Sequence, residues 1–124
     1  MALAQVGLGS ITQVAAGTTQ VVYSVGSAQT AYIRALEIHS LDTDNVANVQ
    51  IHIVPKTSGD AIGTASSVTR IAKLGISTED TYFFENAYPI TLNNTNDAVL
   101  IYNQNENDAV NVLSLIHISE PTRH

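Results

Sequence analysis

Between residues 18 and 113, short β-branched and aromatic runs alternate with clusters of Gly, Asn, Asp, Ser and Thr. That punctuation predicts strands joined by turns. A first strand is expected over residues 18–25, where Val21, Tyr23 and Val25 share a face because strand side chains alternate. Residues 26–29 turn the chain into a second strand, Thr30–Ser40. In that strand Ala31 and Ile33 fall on one face and Leu36 and Ile38 on the other. Either both faces are partly covered or a bulge near Arg34 and Ala35 switches the register. Residues 41–46 read as a loop of Asx turns. Ala47–Val54 has the clearest alternation, with Val49, Ile51 and Ile53 against Asn48, Gln50 and His52. It predicts an antiparallel strand with one wet face, ended by Pro55, which cannot donate to a ladder.

Residues 56–67 are expected to form an exposed, mobile loop. Further strands are expected over residues 68–76, 81–85, 88–92, 98–103 and 109–113, the last two as a hairpin around residues 104–108. No segment carries a sustained helical period with a cap. About eight short strands at this spacing predict an all-β, antiparallel β-sandwich of jelly-roll type. The expected organisation is an N-terminal arm or first strand over residues 1–16, a sandwich over 17–113, and a tail over 114–124.

The tail has a wording of its own. Read as codons, Leu113–His124 resembles a transposon sequencing adapter translated in frame. On that resemblance, residues from about Ser114 are non-native and are expected to lie outside the fold, disordered or loosely packed. The natural C-terminus is then missing and the last strand is cut short. An origin in assembled short reads also raises the weight of a phage source.

Composition narrows the function classes. At 124 residues the chain is one domain with enough length for a core. It has no Cys, which removes disulfides, thiolate metal sites and a thiol nucleophile. The net charge is −6, and setting aside Glu120 and Arg123 leaves it unchanged. Outside the tail the cations are Arg34, Lys56, Arg70 and Lys73, too few and too scattered for nucleic acid. The N-terminus has no basic region and no long apolar run, so no signal peptide or membrane span is expected, and synthesis is expected in the cytoplasm.

Candidate chemistry is sparse. His39 and His52 lie near the ends of strands that would be able to pair, and with Asp42 and Asp44 they offer a His/carboxylate metal set. Two His without a fixed spacing fit ordinary wet-face residues better. Residues 42–45 lack the Gly and terminal Glu of a Ca²⁺ loop and read as turn chemistry. Glu79 and Asp80 are neighbours in a turn and suit solvation rather than general acid–base work. There is no nucleophile elbow, phosphate loop or dinucleotide fingerprint. No enzyme, cofactor or metal is expected. Tyr82, Phe83, Phe84 and Tyr88 suit core packing first, a subunit interface second and a sugar platform third.

Three stretches carry a family resemblance: Tyr23-Ser24-Val25, Thr30-Ala31-Tyr32-Ile33 and Ile51-His52-Ile53-Val54-Pro55. They resemble small virion proteins of tailed phages, in which Tyr-x-Val-Pro-Ala-Gly-x-x-Ala-x-Ile precedes a loop and an alternating strand ending in Val-Pro. Arg70-Ile71-Ala72-Lys73, Phe83-Phe84-Glu85 and Tyr88-Pro89 also fit, whereas Gly26-Ser27-Ala28 departs from the usual Pro-Ala-Gly. The resemblance is diffuse, spans residues 18–113 and transfers no functional residue. It implies a virion structural protein, first in capsid decoration, alternatively in a neck or tail/fibre base. The expected partners are the chain itself, as a homo-oligomer such as a trimer, and other virion proteins. The expected contacts are Leu3, Val6, Leu8 and Ile11 of the arm, which cannot bury themselves alone. The competing class is a carbohydrate-binding sandwich stacking sugars on Tyr82, Tyr88 or Tyr102.

Overall fold

The structure, a computed structural model, describes residues 7–8 and 11–119, with side chains from 11 to 85 and 90 to 118. Among the described residues there is no helix. The strands are β1 (Gly7–Leu8), β2 (Thr12–Val14), β3 (Thr19–Ser24), β4 (Thr30–Ser40), β5 (Ala47–Val54), β6 (Arg70–Ile76), β7 (Thr81–Leu92), β8 (Ala98–Asn103) and β9 (Val110–Ser119).

Sheet A has the order β1-β9-β4-β7, with β2 also on β9; sheet B has the order β3-β8-β5-β6. Every ladder is antiparallel. The pairs β2·β9, β3·β8, β4·β7 and β5·β6 nest like one long hairpin. That hairpin is rolled so that β9 also meets β4 and β8 also meets β5. This is the jelly-roll arrangement. Only β5 and β6 are both consecutive and paired among the described strands. The expected hairpin of β8 and β9 is therefore not formed: these strands lie in opposite sheets, and residues 104–109 cross between them.

The core is the space between the sheets. Ile33, Leu36, Ile38, Val110, Val112 and Ile116 meet Val49, Ile51, Leu74, Ile76, Val99 and Ile101 there, all nearly free of solvent. The β4 register shifts between Ile33 and Ala35 on both sides of the strand. This bulge is why Ala31 and Ile33 enter the same core as Leu36 and Ile38 despite being out of phase in the sequence. The two pieces expected over residues 81–85 and 88–92 form one strand, β7. Its ladder with β4 passes from Glu85 to Ile90 across that same bulge.

Residues 114–119 do not lie outside the fold. They continue β9 between β1 and β4, pairing Ser114 with Leu36, Ile116 with Ile33 and Ser119 with Thr30. The physical reason is alternation. Ser114 and Ile116 are buried in phase with Val110 and Val112, and Leu113, Leu115 and His117 fall on the outer face. The loop over residues 56–67 is exposed as expected but well braced. Thr57 bonds Ala61 and Gly59, Lys56 pairs with Asp60 at 2.6 Å, and Asn96 Nδ2 donates to Asp60 O at 2.7 Å.

Candidate functional site

The expected site residues scatter over the sandwich. His39 and His52 cannot pair across a ladder, because β4 and β5 belong to different sheets. Among the described residues no group of three His, Asp or Glu lies close enough to hold a metal. Asp42 is committed to structure. Its Oδ1 accepts the N–H groups of Asp44 and Asn45, each at 2.8 Å, and its Oδ2 accepts from Asn105 Nδ2 at 2.9 Å. The Asp44 and Asn45 amides, then Asn105, hold this carboxyl below its usual range. Residues 42–45 thus form the expected Asx turn, and it anchors the β8–β9 crossing.

Among the described residues, two surfaces have the character of a site. The first is the outer face of sheet A, where ladder register sets three neighbouring rows. One row is polar: Gln13, Asn111, His39 and Thr81, with Gln13 Nε2 donating to Asn111 Oδ1 at 3.1 Å and His39 Nδ1 2.9 Å from Thr81 Oγ1. The next runs Leu113, Glu37 and Phe83, and Ile11, which precedes β2, lines the same depression as Leu113 and Glu37; Ile11 is 66% exposed and Phe83 52%. The third sets Leu115 and Ala35 beside Glu85. Ile11, Glu37, His39, Asn111 and Leu113 line a shallow depression of about 200 Å³. Burying Phe83 in the core would require the opposite register, since its chain neighbour Phe84, the ladder partner of Leu36, already packs inward.

The arm residues divide. β1 and β2 pair with the chain's own β9, so residues 7–8 and 12–14 serve as the first strand of the sandwich. Ile11, next to β2, stays outward. Leu3 and Val6 lie outside the described residues, as do the side chains of Leu8 and Tyr88.

The second surface is the outer face of sheet B. Thr19, Tyr102, Gln50 and Lys73 form one row across β3, β8, β5 and β6; Leu100, His52 and Arg70 lie in the next. Residues 65–67 wall one side, leaving a groove of about 290 Å³ lined by Thr19, Gln50, His52, Ser66, Arg70 and Tyr102 among others. The alternation in β5 reads correctly, but this outer face is not wet at Gln50 and His52. They are 8% and 3% exposed because the loop folds over them. His52 Nε2–H donates to Gln50 Oε1 at 3.0 Å, and Nδ1 sits 2.9 Å from the Thr69 hydroxyl. Burial first, then the Arg70 guanidinium, hold this imidazole below its ordinary range, against a hydrogen bond at Ser66 that raises it.

Of the expected aromatic contacts, Tyr102 reaches this groove, whereas Tyr82 lies on β7, at the edge of the other sheet, 39% exposed. They form no joint platform. Sequence reasoning gave Gln50, Thr69 and Arg70 no site role; the alternation of β5 signals Gln50 alone, and Thr69 and the loop that completes the groove carry no signal.

No protein-family model matches the chain, and no curated protein does. Among solved structures, one similar chain is from Bacillus endospore appendages, described as forming a novel family of disulfide-linked pili. It is 16% identical, with 98% of each chain covered and a TM-score of 0.47. At that identity and score the likeness carries no argument about function, and the present chain has no Cys for a disulfide link.

Proposed function

We propose that this chain is a non-enzymatic structural protein of a tailed-phage virion, decorating the capsid by symmetric self-association. A neck or tail/fibre-base position is the alternative within the same class. The observation that carries the reading is the outer face of sheet A, where Ile11 and Phe83 stand exposed beside half-buried Leu113 and Leu115. Exposed apolar side chains gathered on one face mark an interaction surface. β2 is seated on the chain's own β9, and the proposed contact is this face. Glu37 lies in the middle of the row and needs a polar partner, which selects one docking geometry over indiscriminate sticking. A closed ring of identical subunits, such as a trimer, satisfies every copy of the face.

A turn adds support. The virion-protein pattern has Gly where this chain has Ala28, and Ala28 has φ 56°, a conformation that favours Gly. The pattern therefore carries the backbone shape seen here. Light scattering on the full chain over a concentration series tests the proposal. A defined oligomer is expected; a monomer at every concentration would contradict it.

A further inference from the structure

The groove on sheet B departs from the rest of the molecule in charge. The chain carries −6 overall, with 11 acidic residues against five Lys and Arg. Yet among the described residues none that lines the groove is acidic, and Arg70 lines it. Lys73 stands beside Gln50 in the same outer row. Among the described residues neither cation forms an ion pair, whereas Lys56 does, with Asp60. Both are exposed. Two cations without an ion pair on one face of an acidic protein leave a charge that no described residue answers.

The remaining lining has a different chemistry. Tyr102 offers a half-buried ring, and Thr19, Ser66 and Ser67 offer hydroxyls. Gln50 and His52 bond to each other, and His52 to Thr69, so the buried groups of the floor are fixed. A floor held this way is preorganised and pays little ordering entropy on binding. The volume, about 290 Å³, falls just below the range of small-molecule sites, roughly 300–1,000 Å³. It suits one small unit at a time. A long polyanion is disfavoured by the net charge.

We infer that this groove binds a carboxylate-bearing sugar. Arg70 pairs with the carboxylate through its planar fork, with Lys73 adding charge nearby. Tyr102 packs on the apolar face of the ring, and the Thr19 and Ser66 hydroxyls take up ring hydroxyls. The inference does not rest on assembly through sheet A, because the groove is on the opposite sheet; a monomer and an oligomer present it equally.

The test is a titration of the full chain, ¹⁵N-labelled, with galacturonate, galactose and inorganic phosphate. Amide shifts at Thr19, Gln50, Ser66, Arg70 and Tyr102 are the readout. Galacturonate is expected to bind about tenfold or more tighter than galactose, the worth of one charge-assisted pair. Phosphate is expected to bind more weakly than galacturonate because it leaves Tyr102 unused. Arg70→Gln removes the preference for the acid, and Arg70 is exposed, so that variant keeps its fold. Tyr102→Leu weakens both sugars. Galactose binding as tightly as galacturonate, phosphate binding as tightly as the sugar acid, or no shift at these amides with any of the three would overturn the inference.

Discussion

Asn103 Nδ2 donates to the backbone carbonyl of Val14 at 3.1 Å, which ties β8 of sheet B to β2 of sheet A. The same amide donates to Asp108 O at 3.0 Å, and Asn103 Oδ1 accepts from Asn105 N–H at 3.0 Å. Asn103 is fully buried. One side chain thus fastens the first strand and shapes the crossing into the last. Asn103→Leu removes the donor to the buried Val14 carbonyl, an orphaned group that costs about 1–3 kcal/mol, and the donor to the part-buried Asp108 carbonyl, which costs less. Urea unfolding is expected to show a loss of about 2–4 kcal/mol, with an unchanged fold in the spectrum of the folded variant.

The turn after β3 predicts a gain. Ala28 at φ 56° bears a steric cost of about 1–2 kcal/mol that Gly avoids. Gly also adds about 0.5–1 kcal/mol of unfolded-state entropy. Ala28→Gly is expected to stabilise by about 0.5–1 kcal/mol in thermal or urea unfolding. An equal or larger loss would mean that the turn is built differently.

His52 predicts a pH dependence. Its pKa is lowered on folding from the ordinary 6.5, so below that value the unfolded chain takes up a proton that the folded chain resists. The stability is fully present above the unfolded value and is lost as pH falls toward the folded one. Unfolding free energy measured from pH 7.5 to 5 is expected to fall for the native chain and to fall less for His52→Gln. Asp42 acts at a lower window: its depressed pKa gives stability above the ordinary 3.8, lost as pH falls through the folded value. Identical slopes for the native chain and His52→Gln would remove His52 from the account.

The end of β9 predicts two opposite effects. Ile116 faces Ile33 in the ladder and is 6% exposed, so Ile116→Ala is expected to cost about 2–5 kcal/mol. His117 has a buried Nε2 with no hydrogen-bond partner among the described residues, its ring 6.5 Å from that of Tyr32. Replacing it with Phe removes an unsatisfied polar atom and is expected to stabilise by about 1 kcal/mol. Both variants are read by urea unfolding, and a neutral Ile116→Ala would mean that residues 114–119 do not hold the sheet.

Much of the architecture was legible along the chain. Thr30–Ser40, Ala47–Val54 and Ala98–Asn103 begin and end where their apolar runs do, and the phase break at Arg34 marks the bulge. The jelly roll follows from strand number and spacing. What was not legible depends on sheet membership. Residues 104–108 have the turn chemistry of a hairpin, yet β8 and β9 part to opposite sheets because β8 pairs with β3 and β5 instead. The burial of Gln50 and His52 comes from residues 65–69 closing over a strand far along the chain, which no local pattern encodes. The outward Phe83 and Ile11 became a surface only when register put them on one face.

That face is the basis of the proposed assembly, and its most direct test is the solution mass of the Ile11→Asp/Phe83→Asp chain beside the unaltered one. Both side chains are more than half exposed, so the substitutions leave the core intact. Multi-angle light scattering is expected to show a defined oligomer for the unaltered chain and a folded monomer for the double variant. An oligomer of the same mass in both would place the contact elsewhere and contradict the role given to the outer face of sheet A.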